Sequence, residues 1–288
     1  MIDTGKLAIN DFTYELPEEN IAQFPLGNRS DAKLLVFDVK QKIHHHTFST
    51  IPSLIPEGSL VIMNNTKVIQ ARLLFNKSTG AKIEVFCLEP YKNIPMEEAF
   101  QSKGNVQWKC MIGNAKKWKE EVLNISFEYD NINGNLNAKR VGESNDLIIV
   151  QFDWLPIDLT FSEVLSHSGL IPLPPYMNRD ANDADKETYN TVYAKNDGSV
   201  AAPTSGLHFT KEILKRLEDN NCKVDFVTLH VGAGTFKPVK SATMDEHIMH
   251  EEQLSISFET IKHIKDTIGI SKIIAVGTTT TRTIATTT

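Results

Sequence analysis

A chain of 288 residues, 41% hydrophobic and 23% charged, can bury a sizeable core and is long enough for two domains. Thirty Lys+Arg against 36 Asp+Glu give a formal charge of −6, which argues against a non-specific nucleic-acid binder. A local basic patch acts only over a Debye length of ~8–10 Å, so the total does not exclude RNA. No stretch is apolar enough to span a membrane, residues 1–6 lack a signal-peptide core, and Cys87, Cys110 and Cys222 form no paired motif. A cytoplasmic, monomeric protein without membrane partner or metal is expected.

Residues 1–65 mix a short helical segment after Pro17 with apolar strands at 33–38 and 59–63, the start of an α/β layer. Asn64, Asn65 and Thr66 follow, placed either to hydrogen-bond a substrate or to cap a junction. From 68 to 152 the helical signal almost vanishes. The runs at 81–86, 106–112 and 146–152 alternate or are β-branched, with Gly and Asn between them, the pattern of a small barrel. Helical segments return from Thr160, interleaved with strands at 223–231 and 272–276. The fold class is therefore α/β (α+β) in two domains: a mixed sheet with helices at 1–67 and 153–288, interrupted by a small antiparallel β-barrel at 68–152. No internal repeat is present, and His44, His45 and His46 are too few for a purification tag.

Two runs stand out, Ala-Ala-Pro-Thr-Ser-Gly-Leu-His-Phe at 201–209 and Thr-Leu-His-Val-Gly-Ala-Gly-Thr-Phe at 228–236. In the first, Pro203 and Gly206 break regular structure and Thr210 stands as an N-cap, which puts His208 at a helix mouth. In the second, His230 falls near the carboxyl end of a strand, and Gly232, Gly234 and Thr235 offer backbone N–H groups and a hydroxyl there. The alternative is a glycine-bearing turn with two satisfied histidines. His247 and His250 are three apart and share a face if their segment is helical. These four histidines are readable as zinc ligands, a proton-transfer set or surface groups; the missing cysteine pattern disfavours zinc. Tyr189 and Tyr193 fit one face of a helix at i and i+4. Lys116, Lys117 and Lys119, with Trp118 as a stacking surface, and Arg29 and Arg72 are candidate RNA contacts; a solvated loop explains the lysines equally well.

Several motifs together resemble a known family: Pro-Leu-Pro-Pro-Tyr at 172–176, Tyr-Asn-Thr-Val-Tyr at 189–193, the two runs above, His-Ile-Met-His at 247–250, and Val-Gly-Thr-Thr at 276–279 with Arg282. Near the N-terminus, residues 11–17, 21–25, Arg29-Ser30 and 64–72 extend the likeness. In order and spacing these resemble the S-adenosylmethionine:tRNA ribosyltransferase-isomerases of queuosine biosynthesis, from about Asp11 to Arg282 and most weakly between Pro90 and Asp158. The resemblance implies an α/β domain interrupted by a β-barrel. It also implies transfer of the ribosyl part of S-adenosylmethionine onto a 7-aminomethyl-7-deazaguanine at the wobble position of a tRNA with a GUN anticodon, giving an epoxycyclopentanediol with release of adenine and methionine. S-adenosylmethionine is then a consumed co-substrate, and no permanently bound cofactor is expected.

The sulfonium acidifies the adjacent C5′ protons, so the reaction needs a base to form an ylide and an acid to help adenine leave. His208, His230, His247 and His250 are the candidates for these roles. Tyr176, Thr204, Ser205, Gly206, Gly232, Gly234, Thr235, Gly277, Thr278, Thr279 and Arg282 are the candidate substrate contacts, with Tyr176, Tyr189 and Tyr193 able to stack on adenine or face the sulfonium. Family members continue for several tens of residues beyond the helix in which position 288 falls, with an Asn-Phe-His-Leu-Pro motif, and Ile284-Ala285 stand where Leu-Glu is expected. Some site residues are therefore expected beyond Thr288. Two other readings are a histidine-metal hydrolase, disfavoured by the absence of carboxylate spacing, and a tRNA-binding protein without catalysis, should the chain be truncated.

Overall fold

In the computed structural model the described residues are 4–144, 147–236, 239, 241–247, 249 and 251–287. After a series of single 3-10 turns, an antiparallel hairpin forms from β1 (Lys33–Phe37) and β2 (Ile43–Thr47). Its turn is fixed by Asp38, whose Oδ1 accepts the N–H groups of Lys40 and Lys42 at 2.9 Å, while Gln41 takes a left-handed φ of 59°. A single helical turn, α1 (Ile51–Leu54), leads to β3 (Leu60–Asn64), every residue of which is buried. Burial on both faces marks a central strand of a sheet covered on two sides.

The chain then leaves the layer through β4 (Thr66–Val68) and builds six strands: β5 (Arg72–Asn76), β6 (Lys82–Pro90), β7 (Asn105–Gly113), β8 (Leu123–Tyr129), β9 (Ile132–Ser144) and β10 (Leu147–Leu155). They pair antiparallel in the order β5-β6-β7-β10-β9-β8, and β5 lies against β8, so the sheet nearly closes on itself. Alternation does the sorting: Leu73 and Phe75, Ile83 and Val85, and Trp108 and Cys110 all point inward to one core. Two helices also enter that core. Between β6 and β7 lies α2 (Met96–Gln101), six residues whose Met96, Ala99 and Phe100 are buried; it is too short for a helical period to show in a region expected to be strands. After β10, α3 (Phe161–Ser168) starts at a capping box in which Thr160 Oγ1 accepts the Glu163 N–H at 3.3 Å and Glu163 Oε2 accepts the Thr160 N–H at 2.7 Å. Phe161 inserts among Trp108, Phe152 and Trp154 at centroid distances of 5.4, 5.4 and 5.5 Å.

The remainder returns to the layer. Beyond α4 (Asp185–Thr188), strand β11 (Asn196–Ser199) pairs parallel with β4. Helix α5 (Lys211–Asp219) begins at Thr210, whose hydroxyl accepts the Ile213 N–H as an N-cap. Then follow β12 (Lys223–Leu229), β13 (Leu254–Ile256), α6 (Phe258–Thr267), β14 (Ile273–Val276) and α7 (Thr278–Thr287). The sheet order is β13-β12-β3-β14, with β12 and β14 parallel to β3 and β13 antiparallel. Strand alternation sends Val61 and Met63 to the side of Ile213 and Leu217 on α5, and Leu60 and Ile62 to the side of Ile264 on α6. The class is the expected one: mixed α/β with an inserted antiparallel barrel. One local expectation fails, because α4 ends at Thr188 and Tyr189 and Tyr193 therefore share no helical face. Among the described residues no helix is long and apolar enough to cross a membrane.

Candidate active site

Outside the carboxyl ends of the parallel strands lies a cleft of about 450 Å³, where ligands of such sheets gather. Its walls come from four stretches of chain. Val231 and Thr235 follow β12, and Gly277, Thr278 and Thr279 follow β14. Residues 201–205 contribute Thr204 and Ser205, and the stretch before β11 contributes Tyr176 and Tyr189. Gly277 has a φ of +87°, and a Cβ there would come within 3.2 Å of Ser205 Cβ and Oγ, so a bare backbone is what lets two of these stretches approach.

No Asp, Glu, Lys, Arg or His lines this cleft among the described residues. It offers hydroxyls, the two aromatic rings and small apolar side chains, a lining suited to a ribose and a flat heterocycle. Tyr176 is 60% exposed at the mouth. Tyr189 is buried, and that burial raises its phenol above the ordinary value, opposed by a backbone hydrogen bond from Ala202, so it is neutral at pH 7.

Of the predicted contacts, Tyr176, Thr204, Ser205, Thr235, Gly277, Thr278 and Thr279 come together here. Four others do not line the cleft. Gly206 is buried behind it, where a Cβ would fall 2.1 Å from the Tyr193 hydroxyl. Gly232 donates its N–H to Glu252 Oε1 at 2.9 Å, Gly234 sits half-buried in the 3-10 turn after β12, and Arg282 Nη1 pairs with Glu252 Oε2 at 2.6 Å. Glu252 escaped the sequence reading because no local pattern signals it.

Nor do the described histidines line the cleft. His208 is exposed, donates from Nδ1 to the Arg29 carbonyl at 3.2 Å and lies against Phe48. His230 is only 8% exposed, just past β12. Its N–H donates to the Gln253 carbonyl at 3.0 Å, and Nδ1 shares a hydrogen bond with Thr66 Oγ1 at 2.8 Å. Gly198, with φ +153°, makes room for the ring: a Cβ there would stand 2.5 Å from Nδ1. Burial lowers the His230 imidazole below its ordinary pKa, against the attraction of Glu97 and Asp197, so the ring is neutral at pH 7. His247 is half-buried in a turn, its N–H donating to Met244, not on a helix; His250 lies outside the described residues. Among the described residues no three His, Cys, Asp or Glu side chains cluster to hold a metal.

Asn64, Asn65 and Thr66 cap the junction. Asn64 Oδ1 accepts the N–H groups of Leu229 and Thr66, both at 3.1 Å, and Asn65 Oδ1 accepts the Thr228 hydroxyl at 2.7 Å. The basic candidates divide. Arg29 is spent internally on the carbonyls of Asn190, Leu207 and Glu187, and Arg72 is held by both oxygens of Glu84 at 2.8 and 3.2 Å. Lys116, Lys117 and Lys119 are exposed and, with Lys77, Glu120 and Glu121, line a surface groove of the barrel, in which Lys77 pairs with Glu121 at 2.5 Å. Trp118 between them is 0% exposed, its Nε1–H donating to the Glu121 carbonyl at 2.9 Å, so it offers no stacking surface.

The sequence matches the family described as queuosine biosynthesis protein over residues 9–288. A protein of Sulfurihydrogenibium sp. (strain YO3AOP1) named S-adenosylmethionine:tRNA ribosyltransferase-isomerase is 37% identical over 283 residues, 97% of this chain and 78% of that protein. One of the same name from Natranaerobius thermophilus is 38% identical over 97% of this chain and 77% of its own length. The crystal structure of a Thermotoga maritima S-adenosylmethionine tRNA ribosyltransferase is 27% identical, covering 96% of this chain and 72% of that one, with a TM-score of 0.41. With the family matched over nearly the whole length and relatives sharing more than a third of its residues, the chain belongs to the queuosine biosynthesis protein family.

Proposed function

We propose that the chain is an S-adenosylmethionine:tRNA ribosyltransferase-isomerase. It transfers and isomerises the ribosyl moiety of S-adenosylmethionine onto 7-aminomethyl-7-deazaguanine at the wobble position of a tRNA with a GUN anticodon, releasing adenine and methionine. The observation that carries this reading is the convergence of motif residues from separate stretches, Tyr176, Ser205, Thr235 and Thr278 among them, on one cleft at the carboxyl ends of the parallel strands.

In this reading the hydroxyls of Thr204, Ser205, Thr235, Thr278 and Thr279 hold the ribose, and the rings of Tyr176 and Tyr189 stack on adenine or face the sulfonium, the latter a cation–π interaction of about 0.5–2 kcal/mol. His230, whose ring does not itself line the cleft but which adjoins the cleft-lining Val231, is the proton acceptor in this reading; with Nδ1–H donating to Thr66 Oγ1, the neutral ring keeps Nε2 unprotonated. His208, tied to Arg29, is set aside. The barrel, residues 68–152, forms a unit inserted between 1–67 and 153–288, and its Lys116, Lys117 and Lys119 meet tRNA phosphates. The protein acts as a cytoplasmic monomer.

The test is incubation with S-adenosylmethionine and a tRNA carrying the aminomethyl deazaguanine, following free adenine, free methionine and the mass of the modified nucleoside. Release of both with the ribosyl-derived mass gain is expected. A folded protein that binds this tRNA yet releases neither product refutes catalysis and leaves a binding protein.

A further inference from the structure

We propose that Glu252 is a positioning residue that holds two walls of the cleft in register; the inference rests on reading that cleft as the substrate site. The antiparallel pairing of β12 with β13 sets Leu229 opposite Leu254. Continuing that register brings Glu252 beside the stretch that leaves β12. There its Oε1 accepts the Gly232 N–H at 2.9 Å. Its Oε2 accepts from Arg282 Nη1 at 2.6 Å. The side chain is 5% exposed, which makes these charge-assisted contacts strong and directional.

What the two contacts join gives the carboxylate its role. Gly232 lies between Val231 and Thr235, both of which line the cleft. Arg282 lies four residues after Thr278 and three after Thr279 on α7, so it shares their helix face. These two walls follow β12 and β14, which lie on opposite sides of β3 and are not paired with each other. A single carboxylate spans them because it has two acceptor oxygens; an amide has one, and a methyl has none. Gln253 extends the tie, its carbonyl accepting the His230 N–H at 3.0 Å and its Oε1 accepting the Met96 N–H of α2 at 3.3 Å. A site whose walls are held this way keeps its hydroxyls at fixed separations before ligand arrives.

The experiment compares wild type, Glu252→Gln and Glu252→Ala by amide hydrogen exchange and by calorimetric titration with S-adenosylmethionine, with the melting midpoint of each recorded. In Glu252→Ala, exchange is expected to quicken at least tenfold both at Gly232 and in the first turns of α7, and the dissociation constant for S-adenosylmethionine to rise at least tenfold. Glu252→Gln, keeping one acceptor, is expected to fall between. A merely structural role lowers the midpoint and leaves the dissociation constant of the folded protein at the wild-type value, and that result overturns the proposal. So does unchanged exchange in either stretch. Failure of the wild type itself to bind S-adenosylmethionine is distinguishable from both, since it overturns the reading of the cleft and the inference with it.

Discussion

Replacing His230 by Ala tests whether this residue is as deeply built into the fold as its contacts indicate. Two terms set the cost. Truncating a ring that is 8% exposed and packed against Gly198 leaves a void worth about 2–3 kcal/mol. The Thr66 hydroxyl, in a residue with no exposure, loses its partner at 2.8 Å, a further penalty of about 1–3 kcal/mol. Together they predict a loss of about 3–6 kcal/mol, a large share of the ~5–15 kcal/mol typical of a native protein, and a melting midpoint lower by roughly 6–20 °C. Urea unfolding of wild type, His230→Ala, Thr66→Val and the double variant measures the loss and isolates the pair term. The pH dependence carries an independent sign. Because the folded-state pKa of His230 is depressed below its unfolded value of about 6.5, the unfolded chain binds more protons, so this contribution is complete above pH 6.5 and is lost as pH falls toward the folded pKa. The slope of stability between pH 6.5 and 5 is therefore shallower in His230→Gln than in wild type, by at most about 1.4 kcal/mol per pH unit. A His230→Ala protein within about 0.5 kcal/mol of wild type, with no coupling to Thr66, would show that neither the buried ring nor its Thr66 hydrogen bond supports the fold.

Gly206→Ala forces a methyl to within 2.1 Å of the Tyr193 hydroxyl, and is expected to cost about 1–3 kcal/mol in a thermal melt while weakening S-adenosylmethionine binding through the adjoining Thr204 and Ser205. Asp185 receives both Arg179 Nη atoms at 2.7 Å, and this pairing holds its carboxyl below the usual range. Its contribution is thus present above the unfolded pKa of about 3.9 and lost as pH falls through the folded pKa, so Asp185→Asn should cost about 3 kcal/mol at pH 7 and flatten the acid limb of the stability curve below pH 4. Reversing Lys116, Lys117 and Lys119 to Glu should weaken tRNA binding and make the salt dependence shallower by about two units of log–log slope, each phosphate contact contributing ~0.7–0.9. An unchanged slope removes this groove from the interface.

Where the sequence could be read and where it could not follows the range of the forces involved. Thr210 as a cap, the alternation of β6, β7 and β10, and the glycine turns after β12 and β14 all depend on neighbours within a few residues, and each is visible in the amino-acid order. Arg29 looked like a free cation because the carbonyls that consume it lie 158 to 178 residues away. Trp118 looked exposed because it stands among lysines; the turn at Ala115–Lys117 sends the lysines outward and the indole in, toward Glu121. The cleft residues were legible as motifs, since Ser205, Thr235 and Thr278 each adjoin a glycine in a turn, Gly206, Gly234 and Gly277. The histidines beside them were not legible as structure, because nothing in His208 or His230 records that one faces solvent and the other faces Thr66.

The barrel is continuous in sequence, yet its interior is not. Phe161, seated among Trp108, Phe152 and Trp154, belongs to a helix that follows the last strand, and Val164 and Leu165 of the same helix are buried in the same core. A cut after β10 would therefore leave an open drum with a phenylalanine-sized hole, and a graft of the strands alone into another protein would arrive without its stopper. Because α3 is also the route back to the parallel sheet, loosening at the cleft and loosening in the barrel become one cooperative event instead of two, and the two halves of the molecule should melt together.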